Sequence, residues 1–112
     1  LLLMLDHVNA GRLSLEKMLA LLSINPAKIF GATQKGGIAV GKDADFSIVD
    51  MKKKKMIHHG WIKSRSQWTA YDGMTVTGWP MMTIVRGQLA MREDTVMSNV
   101  FGKKISFTGQ PQ

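Results

Sequence analysis

The chain has 112 residues, 45% of them apolar, with fifteen Lys and Arg against eight Asp and Glu and a formal net charge of +7. That length fits one small domain able to bury roughly two-thirds of its unfolded surface, and the apolar content excludes disorder throughout. The lack of cysteine excludes disulfides, thiol catalysis and cysteine-ligated zinc and suits a reducing cytoplasm, while no apolar run is long enough to span a bilayer.

The opening LLLMLDHVNAG predicts a helix from Leu2 to about Asn9 that stops at Gly11, a suitable left-handed C-terminal residue. No capping residue precedes its apolar positions and the first residue is Leu1. The chain is therefore expected to be a piece of a longer protein, cut inside or just before a helix. Ser14 reads as the N-cap of a second helix, with Glu16 in its positively polarised first turn. Leu15, Met18, Leu19 and Leu22 recur at helical spacing as one apolar stripe. Asn25 and Pro26 predict a restart, with asparagine as cap and proline at the first helical position, and the resulting short helix carries Ile29 and Phe30 and ends at Gly31.

From Thr33 onward turn signals alternate with short β-rich runs. Strands are predicted over residues 38–40 and 46–50, more weakly over 56–62, and as a hairpin of 82–85 and 88–92 turning at Arg86-Gly87. A last short run, 105–107, precedes a polar tail. The change from helix to strand falls near residues 32–37. Lys52 to Lys55 reads as a solvated turn or a protected strand edge. The tryptophans do not interleave with it as a nucleic-acid stacking platform requires.

Few residues offer chemistry. His58 and His59 are adjacent, so in a strand they point to opposite faces and do not grip one metal; His7 follows Asp6 on a helix, where neighbours share no face. Asp43 and Asp45 could place two oxygens near a cation, but behind Gly41 they read first as turn aspartates, as does Asp72 before Gly73. No serine lies in a nucleophile elbow, and KGGIAVGK lacks the ending of a phosphate loop. The nine methionines read as adaptable core or interface filler. On these grounds no catalytic, cofactor-binding or metal-binding residue is assigned.

One stretch carries a resemblance. NPAKIFGATQKGGIAVGKDADFSIVD, residues 25–50, resembles the segment of cyclic amidohydrolases that follows the last barrel strands in dihydroorotases, hydantoinases (dihydropyrimidinases) and allantoinases. The resemblance runs from about Gly11 to Arg92. SQWTAYDGMTVTGWPMMTIVRGQLAMRE is most similar to class I dihydroorotases, whose aromatic-D-G-x-x-x-x-G-W-P-x-x-T-I-V-R-G pattern it repeats. Physically, Gly78 permits an unusual backbone angle, Trp79 supplies a large buried plate and Pro80 fixes the entry into the following strand.

The resemblance implies an α/β parent: a (β/α)8 barrel with a flanking β-sandwich, of which residues 1–32 are the last barrel helices and 33–112 the C-terminal strands of the sandwich with a polar tail. It implies a binuclear zinc centre whose metal-bound hydroxide attacks a cyclic amide, the parent interconverting dihydroorotate and N-carbamoyl-L-aspartate in pyrimidine biosynthesis. The family's ligands are an early His-x-His pair, a carboxylated lysine, two later histidines and an aspartate, all upstream of Leu1, and no residue of this sequence matches them. The implied partner is a small cyclic amide, with no nucleic acid or membrane, in a cytoplasmic homo-oligomer. A hydantoinase or allantoinase, an inactive scaffold paralogue and a basic nucleic-acid-binding module are the competing readings.

Overall fold

The computed structural model of the chain describes residues 1–108; the end of the predicted tail, residues 109–112, lies outside them. Helix α1 (Leu2–Asn9) closes as predicted, with Gly11 at a φ of 70°. Ser14 caps α2 (Leu15–Leu19), its hydroxyl accepting the Lys17 N–H at 3.1 Å. The restart predicted at Asn25 does not occur. The helix instead runs through a π turn, Ala20–Ile24, into α3 (Asn25–Phe30), and Asn25 has helical angles. Pro26 has no N–H and its ring needs room against the preceding turn. The widened turn, in which the Asn25 N–H donates to the Ala20 carbonyl five residues back, gives that room without breaking the rod. Gly31, at a φ of 67°, ends α3 as predicted.

Four antiparallel strands form one sheet in chain order: β1 (Phe46–Met56), β2 (Thr75–Val85), β3 (Gln88–Arg92) and β4 (Thr95–Val96). The β2–β3 hairpin turns at Arg86-Gly87, as predicted, with both residues at positive φ. Other strand expectations fail. Residues 38–40 lie in a loop with Ile38 and Val40 exposed, because Gly36 and Gly41 take positive φ and turn the chain away on either side. Of residues 56–62 only Met56 is in a strand, and His59–Trp61 forms a 3-10 turn. Residues 105–107 have no regular structure. Of the two readings of the lysine run, the strand edge is the one observed: it lies within β1, an edge strand.

β2 begins at Thr75, seven residues before the predicted Met82, so Gly78-Trp79-Pro80 lies inside a strand rather than ahead of one. Two irregularities accommodate it. Asp50 pairs with Trp79 and Lys54 with Thr77, so Met51, Lys52 and Lys53 bulge opposite Gly78 alone. The Asp50 carboxylate accepts the Lys52 and Lys53 N–H groups, at 2.9 and 3.2 Å, which the ladder leaves free. The second shift falls where Val49 pairs with Pro80, a residue with no ladder donor.

The backbone of Thr77, beside the first bulge, bonds to α1. Its N–H donates to Asp6 Oδ1 at 2.9 Å and its carbonyl accepts Asn9 Nδ2 at 3.0 Å. Gly78 follows at a φ of 104°, and a Cβ there would sit 2.8 Å from the Cβ of Leu5. Leu5 and Val76 are fully buried and Trp79 nearly so; Ile57 joins Val76 and Trp79, with Leu2, Leu3, Trp61 and Met81 packed around them. Trp79→Ala is expected to cost ~3–5 kcal/mol in urea unfolding, as for a core aromatic; a loss below about 1 kcal/mol would mean that the indole supports little of the fold.

Candidate functional site

The densest polar arrangement centres on Asp94, in the β3–β4 turn at a φ of 67°. Its Oδ1 accepts the indole N–H groups of Trp61 and Trp79, at 2.7 and 2.9 Å, and its Oδ2 accepts the Lys55 ammonium. The same ammonium stands 4.8 Å from the centroid of the Trp79 ring, whose face attracts cations. The two indoles meet at 4.9 Å, tilted by 57°. Burial pushes the Asp94 carboxyl up, but hydrogen bonds from Lys55, Trp79 and Trp61 outweigh it and hold the group below the usual carboxylate range. One carboxylate thus ties β1, β2, the 3-10 turn and the β3–β4 turn. Every polar atom in it is engaged with another part of the fold, which makes it a fastening rather than a reaction centre.

Asp43 and Asp45 do not bond the backbone of their own turn, as turn aspartates would, but share a lysine and reach the distant hairpin. Lys35 Nζ lies 2.8 Å from Asp43 Oδ2 and also bonds Asp45, whose Oδ1 accepts the Arg86 N–H at 2.8 Å. The hydrogen bonds to Asp43 and then Asp45 raise the Lys35 pKa, and the bond from Lys35 lowers that of Asp45. This loop therefore grips the hairpin turn, and the Gly87 N–H donates to the Ala44 carbonyl at 2.9 Å.

The histidines stay apart. His7 Nδ1 accepts the Arg12 Nε–H at 2.6 Å. His59 Nδ1 accepts the Thr69 N–H at 3.2 Å, its Nε2 lies 3.6 Å from Asp72 Oδ2, and its ring stacks against Trp68 at 6.5 Å. Asp72 also accepts the His59 backbone N–H at 2.7 Å, fixing the turn. Among the described residues no three His, Asp or Glu side chains gather as metal ligands, so these residues do not fit a binuclear metal centre. The lysine run is divided: Lys55 is drawn to Asp94 and Lys53 to Met81 Sδ, while Lys52 and Lys54 are exposed. No helix among the described residues is long and apolar enough to cross a membrane.

Beside the ion cluster lies an open groove of about 930 Å³ between the α2–α3 rod and the sheet, walled by Leu19, Leu22, Ile38, Phe46 and Ile84. The stripe predicted on the second helix borders it. Met18 is buried, whereas Leu15, Leu19 and Leu22 are each more than two-fifths exposed.

Residues 1–90 match the Amidohydrolase family. The chain belongs to that family. It is similar to the dihydroorotase of Pyrococcus furiosus, with 42% identity over 96% of this chain and 26% of that one. It is also similar to the L-hydantoinase of Paenarthrobacter aurescens, with 37% identity over 90% of this chain and 22% of that one. The solved L-hydantoinase (dihydropyrimidinase) from Arthrobacter aurescens superposes with a TM-score of 0.83 and 39% identity, over 87% of this chain and 22% of that one. The chain is thus a dihydroorotase-like member of the family, and it spans about a quarter of the length of the curated relatives it matches.

Asp94 was not singled out in the sequence. The available signal was the pair of tryptophans: a buried indole N–H needs an acceptor, and the turn after the hairpin carries Glu93 and Asp94. In this amidohydrolase chain Asp94→Asn is expected to lower stability at pH 7 by about 1–3 kcal/mol, since the asparagine no longer balances Lys55. A depressed carboxyl pKa stabilises above the unfolded value, near 3.9, and that contribution fades as pH falls through the folded value. The gap between wild type and variant should therefore narrow below about pH 4. Urea midpoints at pH 7 and pH 3 check this; an unchanged gap would show that the charge is immaterial.

Proposed function

We propose that the chain is the C-terminal structural portion of a dihydroorotase, an enzyme that reversibly interconverts dihydroorotate and N-carbamoyl-L-aspartate. Residues 1–32 would be the last helices of a (β/α)8 barrel, and 33–112 the C-terminal strands of a flanking β-sandwich with its tail. The observation that carries this reading is the 42% identity to a dihydroorotase across nearly the whole chain. The Tyr71-Asp72-Gly73 turn, which Asp72 fixes, and the Gly78-Trp79-Pro80 step inside β2 support it.

The parent's hydrolytic chemistry would come from a binuclear zinc centre whose ligands lie elsewhere in the polypeptide. These residues are assigned no catalytic, cofactor-binding or metal role; their part is to hold the last helices and hairpin in place. The parent is read as a cytoplasmic homo-oligomer acting on a small cyclic amide, with neither nucleic acid nor membrane as partner. The similarity to a solved L-hydantoinase supports a second reading, in which the parent opens a hydantoin ring.

One metal-loaded preparation of the full-length protein, tested on dihydroorotate, hydantoin and allantoin, separates these readings. Preference for dihydroorotate is expected. Preference for a hydantoin or allantoin moves the assignment to that branch, and no turnover of any supports an inactive scaffold. The 112-residue chain alone, supplied with zinc, is expected to turn over none of them, because a metal-activated hydroxide needs several converging ligands. Turnover lost on mutating His58 or His59 would refute that expectation.

A further inference from the structure

Charge is spread very unevenly along the chain. Six of its fifteen Lys and Arg, and none of its eight Asp and Glu, fall between Met51 and Tyr71, so this one stretch carries all but one unit of the net +7. The fold gathers these cations at one end of the sheet, away from the Arg86-Gly87 turn. Lys52 and Lys54 lie in the half of β1 that runs into the β1–β2 connection, residues 57–74, and Lys63 and Arg65 lie in that connection. All four are exposed, and none is in an ion pair among the described residues. The neighbouring carboxylates are already spent: Asp94 holds Lys55, Asp50 accepts the Lys52 and Lys53 backbone N–H groups, and Asp72 accepts that of His59. A surface of one sign attracts an oppositely charged partner and speeds its encounter.

The same connection presents apolar side chains on a fixed frame. The Ile57 N–H donates to the Met74 carbonyl and the Gly73 N–H to the Ile57 carbonyl, each at 2.9 Å, which joins the two ends. Trp68, stacked on His59, is 64% exposed, and Tyr71 and Met74 are exposed on the same connection. Trp, Tyr, Met and Arg are the side chains enriched where proteins meet, and an anchor ordered in advance loses little freedom on binding.

We propose that Lys52, Lys54, Lys63, Arg65 and Trp68 form a docking face for an acidic segment of another protein. Its Asp and Glu side chains would meet the four cations, and one of its apolar side chains would pack on the open face of the Trp68 ring. The proposal rests on charge and exposure and not on the functional reading above. Two other occupants fit less well. A second copy joined by a two-fold axis would set this face against itself, cation against cation. A single-stranded nucleic acid stacks successive bases on several rings, whereas Trp61 and Trp79 are bound to Asp94 and Trp68 has one face on His59.

The test titrates the full-length protein into a labelled peptide in which Asp and Glu alternate with Leu, at low and at physiological salt. Binding is expected at low salt and should weaken at least tenfold at physiological salt, where exposed charges are screened beyond about 8 Å. Lys52→Glu/Lys54→Glu and, independently, Lys63→Glu/Arg65→Glu should each weaken low-salt binding at least tenfold, and Trp68→Ala at least threefold. Lys103→Glu/Lys104→Glu makes the same change of net charge on two exposed cations of the tail and should leave binding within twofold. No binding of the peptide, an equal loss in the tail variant, or full binding by both variants of the face overturns the proposal. Full binding by Trp68→Ala overturns the anchored mode of docking proposed here. Tighter binding of an oligothymidylate or of phosphatidylserine vesicles at matched charge assigns the face to nucleic acid or to a membrane, and overturns the proposal too.

Discussion

A strand's backbone can satisfy only so many neighbours, and the structure turns on how β2 divides its own at Thr77 and Gly78. Were β3 long enough to pair along all of β2, the Thr77 amide and carbonyl would have no reason to meet a helix. Thr77 keeps its place opposite Lys54 beside the three-residue bulge, and its free donor and acceptor are taken by Asp6 and Asn9 of α1, on a stretch of β2 that β3, paired only with Met82–Val85, does not reach. The lack of a side chain at Gly78 then brings Leu5 against the strand. With α1 seated, Val76 and Leu5 are shut away from water; without it, the centre of the sheet would be wet.

Much of this follows from short-range chemistry and was legible for that reason. Gly11, Ser14 and Gly31 act within one helical turn of themselves, and Arg86-Gly87 makes a turn whose geometry needs no distant partner. Three other features depend on contacts far away in sequence. Asp94 reaches Trp61 and Lys55 across 33 and 39 residues, and no local pattern links them. The Lys52–Lys55 run reads in the sequence as either a turn or a strand edge, and the pairing of Lys54 and Lys55 with Thr77 and Val76 selects the edge. Residues 38–40 have β-forming side chains but meet no neighbouring strand, so propensity had nothing to act on.

The candidate site divides in the same way. That His59 would serve a turn could be argued from spacing, and its partners are the neighbouring Thr69 and Asp72, whereas Asp45 reaches Arg86 across 41 residues. The fastening around Asp94 and the groove could not, because both are made by elements meeting in three dimensions. The residues of this amidohydrolase chain whose roles are best defined are thus ones that shape the scaffold. Such residues are constrained through geometry: a substitution at Gly78 or Asp94 shifts whole elements and so reaches any chemistry those elements support.

The π turn at Ala20–Ile24 acts as one extra residue slipped into an otherwise regular helix. Each residue advances a helix by about 100°, so every side chain beyond the turn is re-aimed by roughly that angle relative to an unbroken repeat. Leu15 and Leu19 precede the offset, whereas Ile29 and Phe30, 76% and 69% exposed, follow it. A single rod thereby presents two apolar facets out of phase with each other. A flat neighbour could cover one of them; covering both takes a surface that curves around the axis.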